Sequence, residues 1–244
     1  MCPLGSGIVR SEMRMKSGYM ASRKTAILIP SLDRSQYLAD VVQNIHDTTP
    51  EEHRIYFCVG DDASAEVLRG LGEDYLFDGE SEDKRYVTRM NKLIHHIEED
   101  EVFFGSDDVV HHEHWLASAR AVMDQGYLVV VVNDLSNPNG TQALMRADNI
   151  PFACFDDPDA AFHHGYMHNF ADSEQFNTAR VQGKLARAMG SVVAHLHPHG
   201  HKTFFDNPHQ LRPPDKTYAD AQGHWAHDAA LFEKRMRLLN IQYA

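Results

Sequence analysis

The chain has 244 residues, 43% of them apolar, three cysteines, and a formal charge of −12 from 23 basic and 35 acidic side chains. That length suits one generous domain with its own core. The widely spaced Cys2, Cys58 and Cys154 exclude a disulfide framework or a Cys-x-x-Cys site and point to a reducing, cytoplasmic setting. The acidic balance argues against a global nucleic-acid or anionic-membrane surface, and no segment has the length and apolarity of a bilayer span, so no membrane partner is expected.

Residues 1–23 mix Gly, Ser, Met and basic side chains without periodicity and are expected to form a flexible arm before one domain spanning 24–244. Thr25–Pro30 reads as a buried strand, and Leu38, Val41, Val42 and Ile45, spaced by three and four, predict a helix after it. Arg54–Gly60 gives a second strand and Tyr75–Asp78 a short third, while Tyr86, Met90, Leu93, Ile94 and Ile97 mark another helix. Glu101–Phe104 is an apolar-rich strand that ends in Gly105-Ser106-Asp107-Asp108. A helix on Trp115, Leu116, Ala119, Val122 and Met123 follows, then a buried strand at Tyr127–Val132. From about Leu135 the alternation loosens into a strand at Thr141–Met145, an aromatic and His-rich loop at 151–170, a helix near Ser173–Gln182 and a strand near Ser191–Leu196. One amphipathic C-terminal helix, with Tyr218, Ala221, Trp225, Ala229, Phe232, Met236 and Leu239 on one face, is expected to pack on the sheet. Alternating strand and helix predicts an α/β domain with a mostly parallel central sheet flanked by helices.

Chemistry concentrates at the ends of these strands, where open α/β sheets bind ligands. Asp107 and Asp108 offer carboxylate oxygens suited to Mg²⁺ or Mn²⁺, ions that share their coordination with substrate phosphates; the alternative is a cap on the next helix. Arg85 at a helix N-terminus suits phosphate, because guanidinium and backbone dipole act together, although a solvated Arg has the same sequence signature. Asp172 is a candidate general base or, alternatively, a helix N-cap with Glu174 in the first turn. Histidine is abundant, at 17 residues, in His111-His112-Glu113-His114, His163-His164 and His195-Leu196-His197-Pro198-His199-Gly200-His201. No Walker A loop or Gly-x-Ser-x-Gly elbow is present, and the Gly5–Gly7 pair precedes rather than follows a strand, which removes P-loop, serine-hydrolase and dinucleotide readings.

Taken in order, Pro30-Ser31-Leu32-Asp33-Arg34, Val59-Gly60-Asp61-Asp62-Ala63-Ser64, Arg85-Tyr86 with Asn91 six residues after the Arg, Ser106-Asp107-Asp108, His168-Asn169-Phe170-Ala171-Asp172-Ser173-Glu174 and Val193-Ala194-His195-Leu196-His197 resemble the inverting family 2 glycosyltransferases of the GT-A fold. The resemblance covers about Lys24 to His201 and implies a nucleotide-binding half at 24–134 and an acceptor half at 135–244. It implies that Pro30, Ser31, Asp33 and Arg34 contact the nucleotide, that Asp61 or Asp62 faces the base, and that Arg85 and Asn91 lie beside the donor diphosphate. Ser106, Asp107 and Asp108 stand at the Asp-x-Asp position, with either Asp as the direct ligand and the other reaching the ribose or a metal water. His195 or His197 completes the Mn²⁺ or Mg²⁺ site. Asp172 is the base, with His168 and Glu174 on the acceptor side; Ala171 replaces the usual Glu of that segment. The implied donor is a UDP-sugar. The acceptor is a saccharide, a small molecule or a hydroxymethylated pyrimidine in DNA, the last calling for a basic groove from Arg180, Lys184, Arg187, Lys202 and Arg212. Two other classes remain: a zinc-dependent hydrolase using the His clusters, and a non-catalytic nucleotide- or sugar-binding module.

Overall fold

The computed structural model describes residues 23–198 and 207–242, apart from the side chain of Ile241. The predicted arm at 1–23 therefore falls almost wholly outside the described residues, as do His199, His201 and Lys202. Strands β1 (Thr25–Ser31), β2 (His53–Val59), β3 (Asp74–Phe77), β4 (Glu101–Phe104), β5 (Val109–His111), β6 (Val129–Asn133), β7 (Ala143–Arg146) and β8 (Leu185–His195) form one sheet in the order β3-β2-β1-β4-β7-β6-β8-β5. Pairings are parallel from β3 to β4 and between β6 and β8; β7 and β5 run antiparallel to their neighbours. The domain is therefore a mostly parallel α/β sheet flanked by helices, as the alternation predicts.

Side-chain alternation along β1 divides the core in two. Ile27 and Ile29 join Leu38, Val41 and Ile45 of α1 (Ser35–Thr48), Leu68 of α2 (Asp62–Leu71) and Trp115 of α4 (Trp115–Met123) on one face. Ala26 and Leu28 join Val87 and Met90 of α3 (Tyr86–Leu93) and Phe176 of α5 (Ala171–Val181) on the other. Every residue of β1 is buried, the pattern of a central strand covered on both faces, and each large apolar side chain so buried stabilises by roughly 1.5–3 kcal/mol.

Three elements differ from the sequence expectation. Helix α2 emerges between β2 and β3, where no helix was expected: Asp61 accepts from the Ser64 backbone N–H at 2.8 Å, and Gly72 closes the helix at φ 78°, a left-handed cap that glycine adopts without steric cost. Strand β8 starts six residues earlier than predicted, because exposed Arg187, Met189 and Gly190 break its apolar pattern and its register with β6 shifts at Val132/Asn133. The predicted C-terminal helix is two, α6 (Lys216–Gly223) and α7 (Trp225–Gln242), which part at Gly223–His224. Helix α7 packs chiefly on α5 rather than on the sheet, and Trp225 is 57% exposed instead of facing the core.

Candidate active site

The site forms where the carboxyl ends of β1 and β4 lie side by side and β8 returns beside β5. Because β1 pairs with β4, Ser31 just past the shared register reaches Asp107: its hydroxyl donates to Oδ2 at 2.6 Å. Arg34, at the N-cap of α1, donates from Nη1 to Asp107 Oδ1 at 2.7 Å and lies 3.7 Å from Asp108 Oδ2. The antiparallel register Val109↔His195 then sets His195 next to Asp108, with Nε2 3.4 Å from Oδ2, and the Leu196 N–H donates to the Asp108 carbonyl at 2.8 Å. Asp108 also accepts from Ser106 Oγ at 2.6 Å and from the Tyr218 hydroxyl at 2.8 Å.

Both carboxylates are buried, Asp107 3% and Asp108 5% exposed, so their ionisation depends on partners. Burial by itself would raise the Asp108 pKa, yet the adjacent His195 imidazole, Arg34 and the Ser106 hydroxyl outweigh it and hold the carboxyl well below its usual range. Burial acts on His195 in the opposite sense and is likewise overcome, chiefly by Asp108, so the imidazole pKa is raised.

Asp172 lies in the first turn of α5 and is not its N-cap; Phe170 holds that position at φ 65°. Its Oδ1 accepts from the Ser173 N–H at 2.7 Å. Burial raises its pKa to about 6, and Asp134 at the end of β6 adds to the effect. Asp172 and Asp108 both act electrostatically on the Tyr86 hydroxyl, and Asp172 also acts on His195, so the candidate base lies within electrostatic reach of the carboxylate site. His168 is pushed down by burial, against the pull of Asp108.

Other predicted residues are engaged elsewhere. Asp61 is filled as the α2 cap, taking the Ser64 backbone N–H and hydroxyl and the Asp33 N–H, while Asp62 and Asp33 are exposed. Arg85 is held by Asp83 and donates to the backbone of His164 at 2.7 Å and Tyr166 at 3.2 Å; Arg34 is the guanidinium brought to the carboxylates. Asn91 ties α3 to the following loop through Ala161 and Phe162, which uses both ends of its amide, rather than presenting it to a diphosphate. Glu174 is corrected from the acceptor side to a buried clamp with Tyr166 and Arg235. Pro30 is buried within β1, and the His197 ring packs on Tyr218 at 4.7 Å. Of the histidine runs, His111 is buried against Phe103 and Trp115 and His112 meets His209 with ring nitrogens 2.9 Å apart; among the described residues no group of three or more His, Cys, Asp or Glu is placed to hold a metal. Of the described basic side chains expected in an acceptor groove, Arg180 meets Asn177, Lys184 meets Asn149, Arg187 meets Pro138, and Arg212 binds the Asp107 carbonyl.

Sequence reading missed the second side of the site. Asp215 pairs with Arg34 at 2.8 Å, Tyr218 lies under the same guanidinium at 4.5 Å, and Arg212 closes on Asp107. Tyr218 belongs to an apolar stripe, so nothing in its spacing separates a core tyrosine from a site residue. Arg89 was missed as well. It is 1% exposed, donates to the Ser31 carbonyl at 2.6 Å, and has Nε 3.8 Å from Asp78 Oδ2, too far for a hydrogen bond. A Cβ at Gly60 would sit 2.2 Å from Arg89 Nη2. Gly60→Ala is therefore expected to lose roughly 1–3 kcal/mol by overpacking, measured as a lower urea midpoint at unchanged m-value. A midpoint equal to the parent's would show that Arg89 moves aside freely.

No family model and no curated protein matches the chain. Solved structures do. A mannosyltransferase from Pyrobaculum calidifontis, in complex with GDP-Man and Mn²⁺, superposes with TM-score 0.60 at 11% identity over 75% of this chain and 59% of its own. S. aureus TarS (1–349) gives 0.57 at 11% identity over 71% and 60%. Glucosyl-3-phosphoglycerate synthase from Mycobacterium tuberculosis, in complex with Mn²⁺, UDP and glucosyl-3-phosphoglycerate, gives 0.54 at 11% identity over 71% and 72%. The chain thus spans about 60% of the length of the first two, and the fold is GT-A-like, as in these glycosyltransferases. Among the described residues no helix is long and apolar enough to cross a membrane.

Proposed function

We propose that this protein transfers a sugar from a nucleoside diphosphate sugar, a UDP-sugar being the first donor to test, to an acceptor hydroxyl with inversion at the anomeric carbon. The reading is supported by one observation: on a GT-A-like sheet, Asp108 and His195 meet at strand ends with Oδ2 and Nε2 3.4 Å apart, and Asp172, its pKa raised to about 6, lies within electrostatic reach of His195. Structural relatives were solved with UDP or GDP-Man and Mn²⁺, which supports a nucleotide-sugar donor.

The donor set fits a divalent cation. Asp108 Oδ2 and His195 Nε2 lie 3.4 Å apart, a spacing that lets two ligands share one ion, and such ions take one or two protein ligands together with substrate phosphates. Asp108 is the carboxylate beside His195, so these two would hold the ion directly, while Asp107, bonded to Ser31 and Arg34, orients the guanidinium. When bound, Mn²⁺ or Mg²⁺ supplies charge neutralisation for the leaving diphosphate. Asp172 takes the proton of the acceptor hydroxyl as its oxygen bonds to the anomeric carbon, and the bonding pair of the breaking C–O bond departs with the diphosphate.

Calorimetry of UDP and GDP with and without Mn²⁺ tests the donor site. UDP affinity is expected to depend on the metal and to fall at least tenfold in the Asp107→Ala, Asp108→Ala double variant. Metal-independent binding that survives in the folded double variant would reject the site.

A further inference from the structure

An exposed large apolar side chain is ordinary on a protein surface; the position of Trp225 is not. It is 57% exposed in the first turn of α7, while its indole packs on Phe170 with ring centroids 4.7 Å apart, and Phe170 stacks in turn on Phe232 at 5.3 Å. Phe170 stands two residues before Asp172 and holds a left-handed φ of 65°, an uncommon conformation for an aromatic residue. The corner that carries Trp225 is fixed to this loop. Buried Asp228 accepts from the backbone N–H groups of Met167, His168 and Asn169 at 2.9, 2.8 and 2.7 Å, and the Asn169 amide donates to the Ala221 carbonyl at 2.9 Å. Through Phe170, the N-cap residue of α5, the indole adjoins the turn that carries Asp172.

We propose that Trp225, backed by Phe170, is the acceptor platform of this site and stacks on the apolar face of a neutral saccharide ring whose hydroxyl points to Asp172; this rests on the transferase reading above. A sugar ring presents C–H groups on a face and hydroxyls around its rim. The indole meets the first, and His168, His224 and the half-exposed His227 offer hydrogen-bonding tips for the second. The surrounding charge favours a neutral ligand: Asp108, Asp172 and Asp228 lie on this side, and Arg34 is already paired with Asp107 and Asp215. A nucleic-acid strand also stacks on aromatic rings but needs a cationic track for its phosphates, whereas Arg180, Lys184 and Arg212 are each engaged by groups of this chain.

Tryptophan emission provides the test, because the chain has two tryptophans and Trp115 is fully buried. The full chain is titrated with maltotriose, cellotriose, chitotriose and a short single-stranded DNA, with and without UDP and Mn²⁺. A saturable emission change with at least one trisaccharide is expected. Trp225→Ala should then raise the acceptor KM roughly 3–10-fold, with UDP affinity unchanged and Trp225→Phe closer to the parent. Silence with all three trisaccharides, a response to DNA alone, or an unaltered acceptor KM in Trp225→Ala overturns the platform. If the trisaccharide response persists but UDP and GDP do not bind, the platform stands as a sugar site and the transferase reading falls.

Discussion

Asp172→Asn is expected to lower sugar transfer by about 10²–10⁴-fold while leaving UDP affinity in the presence of Mn²⁺ nearly intact, because a general base acts on the acceptor and not on the bound donor. Its pKa, raised by burial to about 6, gives the pH dependence: kcat should rise as pH passes through about 6 and then level off. The stability effect has the opposite sign to that of a helix cap. Folding raises the pKa of this carboxyl, so between about pH 4 and 6 the native state binds more protons than the unfolded chain, and stability falls as pH rises through that window. At pH 7.5 the ionised, buried group costs at most about 3 kcal/mol, which Asn does not incur. The variant should therefore melt at the parent's temperature or above it at pH 7.5, and the difference should vanish below pH 4. A destabilised Asp172→Asn protein with near-normal transfer would falsify the assignment and leave the residue a purely structural part in the first turn of α5.

Arg235→Met carries the largest expected stability effect. The guanidinium, 3% exposed, reaches Glu174 with Nε at 2.6 Å and Nη2 at 2.7 Å, and Asp156 with Nη2 at 2.7 Å, while the Tyr166 hydroxyl donates to Glu174 at 2.7 Å. Removing the cation leaves the Glu174 carboxylate buried with only a tyrosine to satisfy it, a change worth roughly 3–5 kcal/mol. The adjoining Arg235→Met, Glu174→Gln double variant should recover part of the loss, because the stranded charge is gone. Urea unfolding of the two variants checks both statements, and a single variant within 1 kcal/mol of the parent would show that water or Asp156 rearrangement replaces the pair. The clamp joins α5 to α7, so it also holds Asp172 and the Trp225 corner in one rigid unit.

Much of the fold was legible because its cause is local. The apolar run of β1 and the spacing of Leu38, Val41, Val42 and Ile45 are properties of consecutive residues, and each folds as its period predicts. Helix α2 was hidden because Asp61 and Ser64 look alike in a turn and in a cap, and β8 because exposed Arg187, Met189 and Gly190 interrupt its alternation. Spacing likewise could not show the break at Gly223–His224 that turns Trp225 outward.

At the site, the sequence by itself determined which groups stand at strand ends: Ser31 and Arg34 after β1, Asp107 and Asp108 after β4, His195 at the end of β8. Which of them meet was decided by strand pairing. The β1–β4 register joins Ser31 to Asp107, and the β5–β8 register joins Asp108 to His195 across 87 positions of chain. Only the tertiary structure could direct Arg34 rather than Arg85 to the carboxylates, withdraw Asn91 and Glu174 into buried clamps, and bring Asp215 and Tyr218 over the pair. A charged or amide side chain carries the same donors and acceptors wherever it sits. Whether they bind a substrate or another part of the chain depends on which distant segment packs against them, and that is set by the sheet order and not by neighbours in sequence.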